Sequence, residues 1–457
     1  MMLRRKVADQ LMDWKNDPDK KSLLVRGARQ VGKTYSINDF GEKNYGTYVY
    51  INFVKNPEYA TIFAGDLDVD AVLRRMSAFF PKARFTPGDT LIFLDEIQKC
   101  PDARVAFKFF TMDKRYDVIG SGSLMGVMYT EASSYPVGYE DSIDMHSLDF
   151  EEFLWAMDVR EDIIGEVKKS LVEKRPIDAV FLNRFNEFFR WHMVVGGMPE
   201  VVETFKKTNH FGKVRTAQRN IIRTYIDDIT KYAPAVMKNK ILSIFHTIPV
   251  QLAGRNKRFV FADVDDSGGG RYDKYGNSIM WLYEAGIINL CYNLTEPAIP
   301  LLSRRKNNSF KVYMNDTGLL MGMMEEGLAR GILNSDLDVN NGAMMENIVA
   351  EMLVKEGYEL NYFEKNGTLE IDFVLNLGGA VTAVEVKSGD DKQSKSLGVV
   401  MSKTYKVKRG IKLQGTNVVI DDKGIERYPI FAAAFMRSMN EETWDTKAVS
   451  KALDGMR

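Results

Sequence analysis

The residues with the clearest chemistry lie at Leu23–Thr34, LLVRGARQVGKT. Gly27, four intervening residues and Gly32-Lys33-Thr34 make the G-x-x-x-x-G-K-[ST] spacing of a phosphate-binding loop. The apolar run Ser22–Arg26 before it reads as a buried strand, and a helix is expected from Lys33 to Phe40. A strand, a glycine-bounded loop and a helix N-terminus make a phosphate cradle, because the glycines let successive N–H groups turn inward. Gly27, Ala28, Arg29, Gln30, Val31, Gly32, Lys33 and Thr34 are therefore expected to hold the phosphates of a nucleotide. Lys33 would supply a cation for the β- and γ-phosphates, and Thr34 a hydroxyl for Mg²⁺.

A second stretch strengthens the first. Thr90–Ile97, TLIFLDEI, is an apolar strand ending in Asp95 and Glu96. Asp95 is expected in the Mg²⁺ shell, and Glu96 as the base that orients the attacking water. Without the loop, these two acids would read as an ordinary solvated strand end. Tyr116–Ser123, YDVIGSGS, is a strand ending in small hydroxyl residues. Ser121 or Ser123 fits a sensor of the γ-phosphate; a glycine- and serine-rich turn is the plain alternative. Lys33, Glu96 and Ser121 form the expected catalytic set.

Another group lies near the other end of the chain. Glu346 falls on a helix expected at Ala343–Lys355, and Asp372 on a strand at Leu369–Leu375. Glu385 and Lys387 fall on a strand at Ala380–Lys387, two apart and so on one face. Asp372 and Glu385 have the layout of a two-carboxylate Mg²⁺ site. Lys387 would position an attacking water and offset the charge of a phosphodiester. Glu-x-Lys at a solvated strand end is the competing reading. Lys387, Lys392, Lys395, Lys403, Lys406, Lys408 and Arg409 would give a basic surface for a DNA backbone, or simply a solvated charged face.

The elements that position these groups follow from periodicity. Val7, Leu11 and Trp14 mark one face of a first helix. Thr47–Phe53 reads as a strand, Asn56–Phe80 as helical with Ile62, Leu73 and Met76 in the core, and Ala103–Met112 as a helix. Strands alternating with helices imply an α/β fold with a parallel sheet, which binds ligands at the carboxyl ends of its strands. The loop, Asp95, Glu96 and Ser121 all fall at such ends.

Four segments are expected. Residues 1–148 form the nucleotide domain. Residues 149–233 form a helical lid, with Phe181, Phe185, Phe188 and Phe189 as a core stripe and a break at Gly196-Gly197-Met198-Pro199. In 234–330, Ser267-Gly268-Gly269-Gly270 is a flexible connection, and helices precede paired strands at Ile287–Tyr292 and Phe310–Met314. That order suggests a winged helix, which binds DNA or only packs between its neighbours. Arg271 and Lys274 lie near its second helix; Arg304, Arg305 and Lys306 lie in its hairpin. Residues 331–457 are a separate α/β unit.

Composition narrows the class. Lysine plus arginine and aspartate plus glutamate number 62 each, which argues against a constitutive, strongly basic nucleic-acid binder. Cys100 and Cys291 make neither a disulfide framework nor zinc spacing. His146, His192, His210 and His246 do not cluster. No apolar run spans a bilayer and the basic N-terminus has no signal-peptide core, so a cytoplasmic location without membrane contact is expected. The oligomeric state is not legible.

Taken in order, these motifs resemble a large bacterial and archaeal family of predicted AAA-type ATPases. The residues that carry it are GARQVGKT at Gly27–Thr34, LDEIQ at Leu94–Gln98, SGSL at Ser121–Leu124 and LDFEEFL at Leu148–Leu154. GGMPEVV at Gly196–Val202, KVYMNDTGLL at Lys311–Leu320, EIDFVL and VEVKSG complete the set. The resemblance implies an AAA-type core, ATP with Mg²⁺, a cytoplasmic location and a helical and winged-helix region. It also implies a C-terminal PD-(D/E)XK-like fold, with Glu346, Asp372, Glu385 and Lys387 on its pattern. One departure is Pro136-Val137-Gly138-Tyr139, where the family has a basic residue after a glycine. Arg104 and Arg115 are candidate arginine fingers. The expected function is slow ATP hydrolysis that sets the state of the C-terminal modules. The rivals are a non-hydrolysing nucleotide switch or scaffold, and an ATP-gated nuclease.

Overall fold

A computed structural model describes residues 3–123, 138–254, 257–264, 271–334, 342–387, 389, 395–402, 404–405 and 407–440. The chain divides into two compact units. The first comprises Met1–Met157, Val195–His246 and Val264–Ile288; the second comprises Asp158–Val194, Thr247–Asp263 and Asn289–Arg457. Residues 267–270, Leu124, Pro136, Val137, Lys392, Lys403 and Lys406 lie outside the described residues.

The first unit is built on five strands: β1 (Ser22–Gly27), β2 (Thr47–Asn52), β3 (Thr90–Asp95), β4 (Asp117–Ser123) and β5 (Glu140–Asp144). Their order is β2-β3-β4-β1-β5, and every neighbouring pair is parallel. Every residue of β3 is buried, as its unbroken apolar run demands for a strand covered on both faces. The parallel register aligns Asn52, Asp95 and Ser121 across β2, β3 and β4. Helices Val7–Asn16 and Lys33–Asn44 form where expected, and Val7, Leu11 and Trp14 are buried.

Three local readings change. Asn56–Phe80 is not one helix but a 3₁₀ turn, Pro57–Phe63, and a helix, Val69–Phe79. Gly65 between them has φ 80°, which ends the first element; Ile62, Leu73 and Met76 are buried all the same. The expected Ala103–Met112 helix is two short ones, Pro101–Val105 and Phe107–Asp113. Strand β5, EDSID, carries no apolar alternation and escapes sequence reading, yet it pairs with β1 along five residues.

Gly27 ends β1 under a tight constraint: a Cβ there would stand 2.1 Å from the Met145 carbonyl oxygen. The backbone offers little give, since the Met145 N–H donates to the Arg26 carbonyl at 2.7 Å. Gly27→Ala is therefore expected to lower stability by at least about 2 kcal/mol, read as a fall in thermal midpoint. An unchanged midpoint would show that the loop relaxes freely.

The first unit also holds helices Phe150–Ala156, Pro199–Thr208 and Phe211–Tyr232. The first opens with a capping box, in which the Asp149 side chain accepts from the Glu152 N–H and Glu152 reaches back to the Asp149 N–H.

The second unit has two sheets. One runs in the order β7-β6-β8-β9, from β6 (Ile288–Leu294), β7 (Arg305–Met314), β8 (Asn361–Lys365) and β9 (Leu369–Ile371). The other runs β10-β11-β12-β14-β13, from β10 (Phe373–Leu377), β11 (Ala380–Val386), β12 (Arg409–Gln414), β13 (Val419–Ile420) and β14 (Glu426–Pro429). The run LEIDFVL is thus two strands in two sheets, and Asp372 sits at the changeover.

The linear four-segment division does not match these units. Residues 158–194 of the expected lid belong with the C-terminal strands. Their phenylalanine stripe explains this: the Phe185 ring lies 5.5 Å from that of Phe431, and the Ile177 N–H donates to Asn417 Oδ1 at 2.8 Å. The expected winged helix is divided as well. Helix Tyr272–Glu284 lies in the first unit, whereas β6 pairs in parallel with β8 and so ties the hairpin to the C-terminal strands.

Candidate active site

The loop between β1 and helix Lys33–Asn44 turns through two left-handed residues, Gln30 at φ 63° and Gly32 at φ 98°. The Lys33 ammonium folds back on the loop, donating to the carbonyls of Gly27 at 2.9 Å and Ala28 at 2.8 Å. Burial pushes its pKa down to about 8, against the opposing pull of Glu96 and Asp95.

Asp95 is the hub. Its buried carboxylate accepts from Thr34 Oγ1 at 3.2 and 3.3 Å, from Tyr50 Oη at 2.9 Å and from Asn52 Nδ2 at 2.8 Å. The Ser121 hydroxyl also donates to it, as does the Glu96 N–H at 3.1 Å. Sequence reasoning brought Thr34, Asp95 and Ser121 to one place, and the structure joins them in one network. Sequence reasoning misses Tyr50 and Asn52, which share a face of β2 but are tied to Asp95 only by the register that sets Asn52 opposite it. A hydroxyl beside a carboxylate is the oxygen donor set that Mg²⁺ takes, so Thr34 and Asp95 fit that ion.

Glu96 is half-buried and left-handed at φ 55°, a conformation that costs energy in a non-glycine residue. Its Oε2 accepts from Gln98 Nε2 at 2.5 Å. Ser123 is also buried, but it is Ser121 that reaches Asp95. Arg104 pairs with Glu140 at 2.7 Å, and Arg115 with Asp70 and Asp113 at 2.7 Å each. Glu140 and Asp113 lie at the amino ends of the strands, so neither arginine serves this chain's own loop.

The C-terminal group gathers differently from its expected form. Glu346 is buried on helix Gly342–Lys355, and both its oxygens are taken. Oε1 accepts from Lys311 Nζ at 2.8 Å and Tyr313 Oη at 2.6 Å; Oε2 accepts from the Lys257 ammonium. Burial alone would raise the Glu346 pKa, but Lys311 and Lys257 outweigh it and hold the carboxyl down at about 2. Asp372 is pushed up to about 6 by burial and then by Glu346. Its Oδ2 accepts from the Val386 N–H at 2.8 Å. Glu385 pairs with Lys387 at 3.0 Å through Oε1, while its buried Oε2 has no hydrogen-bond partner. Among the described residues no group of three or more His, Cys, Asp or Glu could hold a metal ion. Protein ammonium groups and the Tyr313 hydroxyl already hold Glu346, which leaves that member of the expected set no free oxygen for Mg²⁺.

Residues 19–154 match the family model described as an AAA domain. This segment is an AAA-type P-loop domain. Residues 186–329 and 341–431 match models of two domains of unknown function, DUF8612 and DUF4143. No match is found among curated proteins. Solved structures similar to the chain include a Walker-type ATPase of Pyrococcus abyssi, at 13% identity and TM-score 0.43, covering 70% of this chain and 96% of that one. The Aeropyrum pernix Orc1 protein in complex with DNA is similar at 12% identity and TM-score 0.28, covering 73% of this chain and 91% of that one. DnaA of Aquifex aeolicus bound to AMPPCP is similar at 10% identity and TM-score 0.28, covering 61% and 86%.

Two further contacts hold the AAA-type domain's loop, and neither is visible in the sequence. Arg5 is buried and donates to the Val31 carbonyl at 2.8 Å and the His146 carbonyl at 2.7 Å, while pairing with Glu152 at 3.0 Å. On the loop itself, Arg29 pairs at 2.7 Å with the buried Asp228 of helix Phe211–Tyr232. Residues 211–232 are therefore fastened to the loop by charge as well as by packing. Among the described residues, no helix is long and apolar enough to cross a membrane.

The depressed Lys33 pKa has a measurable consequence. In the free protein Lys33 loses its proton as pH rises through about 8. A bound triphosphate favours the ammonium form, so binding above that pH must take up a proton and weaken as pH increases. Calorimetry of ATP binding at pH 9, in two buffers of different ionisation enthalpy, should report uptake approaching about one proton per site. Equal heats after correction, with no uptake, would place Lys33 outside the phosphate site.

Proposed function

We propose that the AAA-type domain binds ATP with Mg²⁺ and hydrolyses it slowly in the cytoplasm, and that nucleotide state sets the arrangement of the C-terminal modules. The observation that carries this reading is the Asp95 network, which brings Thr34 and Ser121 onto one carboxylate beside Lys33 and Glu96. Lys33 leaves the carbonyls of Gly27 and Ala28 to meet the phosphates. Thr34 and Asp95 would hold Mg²⁺, which when bound offsets phosphate charge. Glu96 accepts the proton of the attacking water and Ser121 senses the γ-phosphate. Tyr50 and Asn52 keep Asp95 from turning away.

A non-hydrolysing switch is the second reading. It is favoured by the contact of Gln98 with Glu96, which occupies the base, and by the absence of a basic residue at Gly138-Tyr139. DNA is the proposed macromolecular partner, held by the β6–β7 hairpin and by the PD-(D/E)XK-like C-terminal domain. Of the hairpin's basic residues, Arg304 pairs with Glu296 at 3.3 Å and Arg305 with Glu359 at 3.1 Å, so DNA must compete for both. Single-turnover hydrolysis by the purified protein, with and without duplex DNA, tests these readings together. Turnover above background supports the ATPase, stimulation by DNA supports the partner, and tight binding with no turnover leaves the switch.

A further inference from the structure

The second unit contains a lysine that neither ATP chemistry nor the surface needs. Lys311 lies on β7 with its side chain fully buried. Its ammonium is 2.8 Å from Glu346 Oε1 and 2.7 Å from Glu370 Oε1. Burying an ammonium is costly unless opposite charges surround it, and a lysine left in a core is strongly selected against on physical grounds alone. Lys257 takes the other oxygen of Glu346, and Tyr313 adds a hydroxyl.

Asp372 and Glu385 border this group. Asp372 lies one step beyond the antiparallel pair of Phe373 with Val384, which sets it against Glu385. Glu346, Glu370 and Asp372 thus act on the Lys311 ammonium, while Glu385, paired with Lys387, borders Asp372. A divalent cation performs the same electrostatic task in such a cluster, but it requires oxygens that are free to coordinate it. The oxygens of Glu346 are not free.

We infer that Lys311 is a built-in cation that takes the place of a metal ion, so that the carboxylate cluster of the second unit is complete without Mg²⁺ or Mn²⁺. The unit then works as a metal-independent binding module. It cannot generate a metal-activated water, and any DNA it contacts is held without being cut. Removing the lysine charge should therefore turn the cluster into a divalent-cation site.

The test is Mn²⁺ binding by the full-length, nucleotide-free protein, followed by the electron paramagnetic resonance of free Mn²⁺. Wild type is expected to bind none at this cluster. Lys311→Met is expected to bind one Mn²⁺ per chain more than wild type, and to be stabilised by it in thermal unfolding. Lys311→Gln, which keeps hydrogen-bond donors but not the charge, is the second variant should the methionine fail to fold. Its expected result is the same. Wild-type binding that Asp372→Asn abolishes would overturn the inference, as would a folded Lys311 variant that gains no site. Nicking of plasmid DNA by wild type with Mn²⁺, lost in Asp372→Asn, would overturn it equally.

Discussion

Lys33→Ala is expected to lower ATP affinity by about 1.5–3 kcal/mol, or about 10- to 150-fold. The side chain is held over the loop by two carbonyls of its own backbone, at 2.9 and 2.8 Å. In the free protein it thus fills part of the space that phosphate would enter, with two of its three donors already satisfied. Binding exchanges those neutral acceptors for anionic phosphate oxygens, and charge-assisted hydrogen bonds are the stronger kind. Alanine forfeits that gain but also leaves the Gly27 and Ala28 carbonyls without their donor, so a small loss of stability accompanies it. Titration with a fluorescent ATP analogue, paired with a thermal melt, separates the two effects. Wild-type affinity in a folded Lys33→Ala protein would remove Lys33 from the phosphate site. The same variant should lose the proton uptake above pH 8, because that uptake belongs to Lys33.

The difference between legible and illegible residues is one of range. The phosphate loop is a contiguous spacing rule, and Asp95, Glu96 and Ser121 are found because apolar runs reveal where parallel strands end. Tyr50 and Asn52 need the register of β2 on β3, which no local pattern in TYVYINF encodes. Arg5 meets Glu152 and Val31 across separations of 147 and 26 residues, so only the folded chain brings them together. Asp228 looks like any acid on an amphipathic helix until Arg29 is seen 2.7 Å away. In the C-terminal unit the pattern of Glu346, Asp372, Glu385 and Lys387 was legible, but the ammonium groups that hold Glu346 were not. Nothing local in KVYMN shows that the Lys311 side chain is buried completely against Glu346. Asp372 likewise reads as a mid-strand residue, and the passage of the chain from one sheet to the other at that point has no signature in LEIDFVL.

Glu96→Gln is expected to bind ATP about as tightly as wild type and to turn it over at least about tenfold more slowly. The amide keeps the size of the side chain and a hydrogen-bonding oxygen for Gln98, but it cannot accept a proton at neutral pH. Asp95→Asn provides the contrast. Asp95 receives donors from Thr34, Tyr50, Asn52, Ser121 and the Glu96 N–H, and a carboxylate, with about four lone-pair sites, serves all five only because some share a site. An asparagine turns an NH₂ group toward some of these donors, which costs about 1–3 kcal/mol for each donor left unsatisfied in a buried place. Asp95→Asn should therefore lower the thermal midpoint and weaken Mg²⁺-dependent binding, whereas Glu96→Gln should change neither. Single-turnover hydrolysis and a Mg²⁺ titration of ATP binding, run on both variants, resolve the roles. If Glu96→Gln hydrolyses ATP at the wild-type rate, the base lies elsewhere. If Asp95→Asn leaves both the midpoint and the Mg²⁺ dependence unchanged, the network around Asp95 does not organise the site.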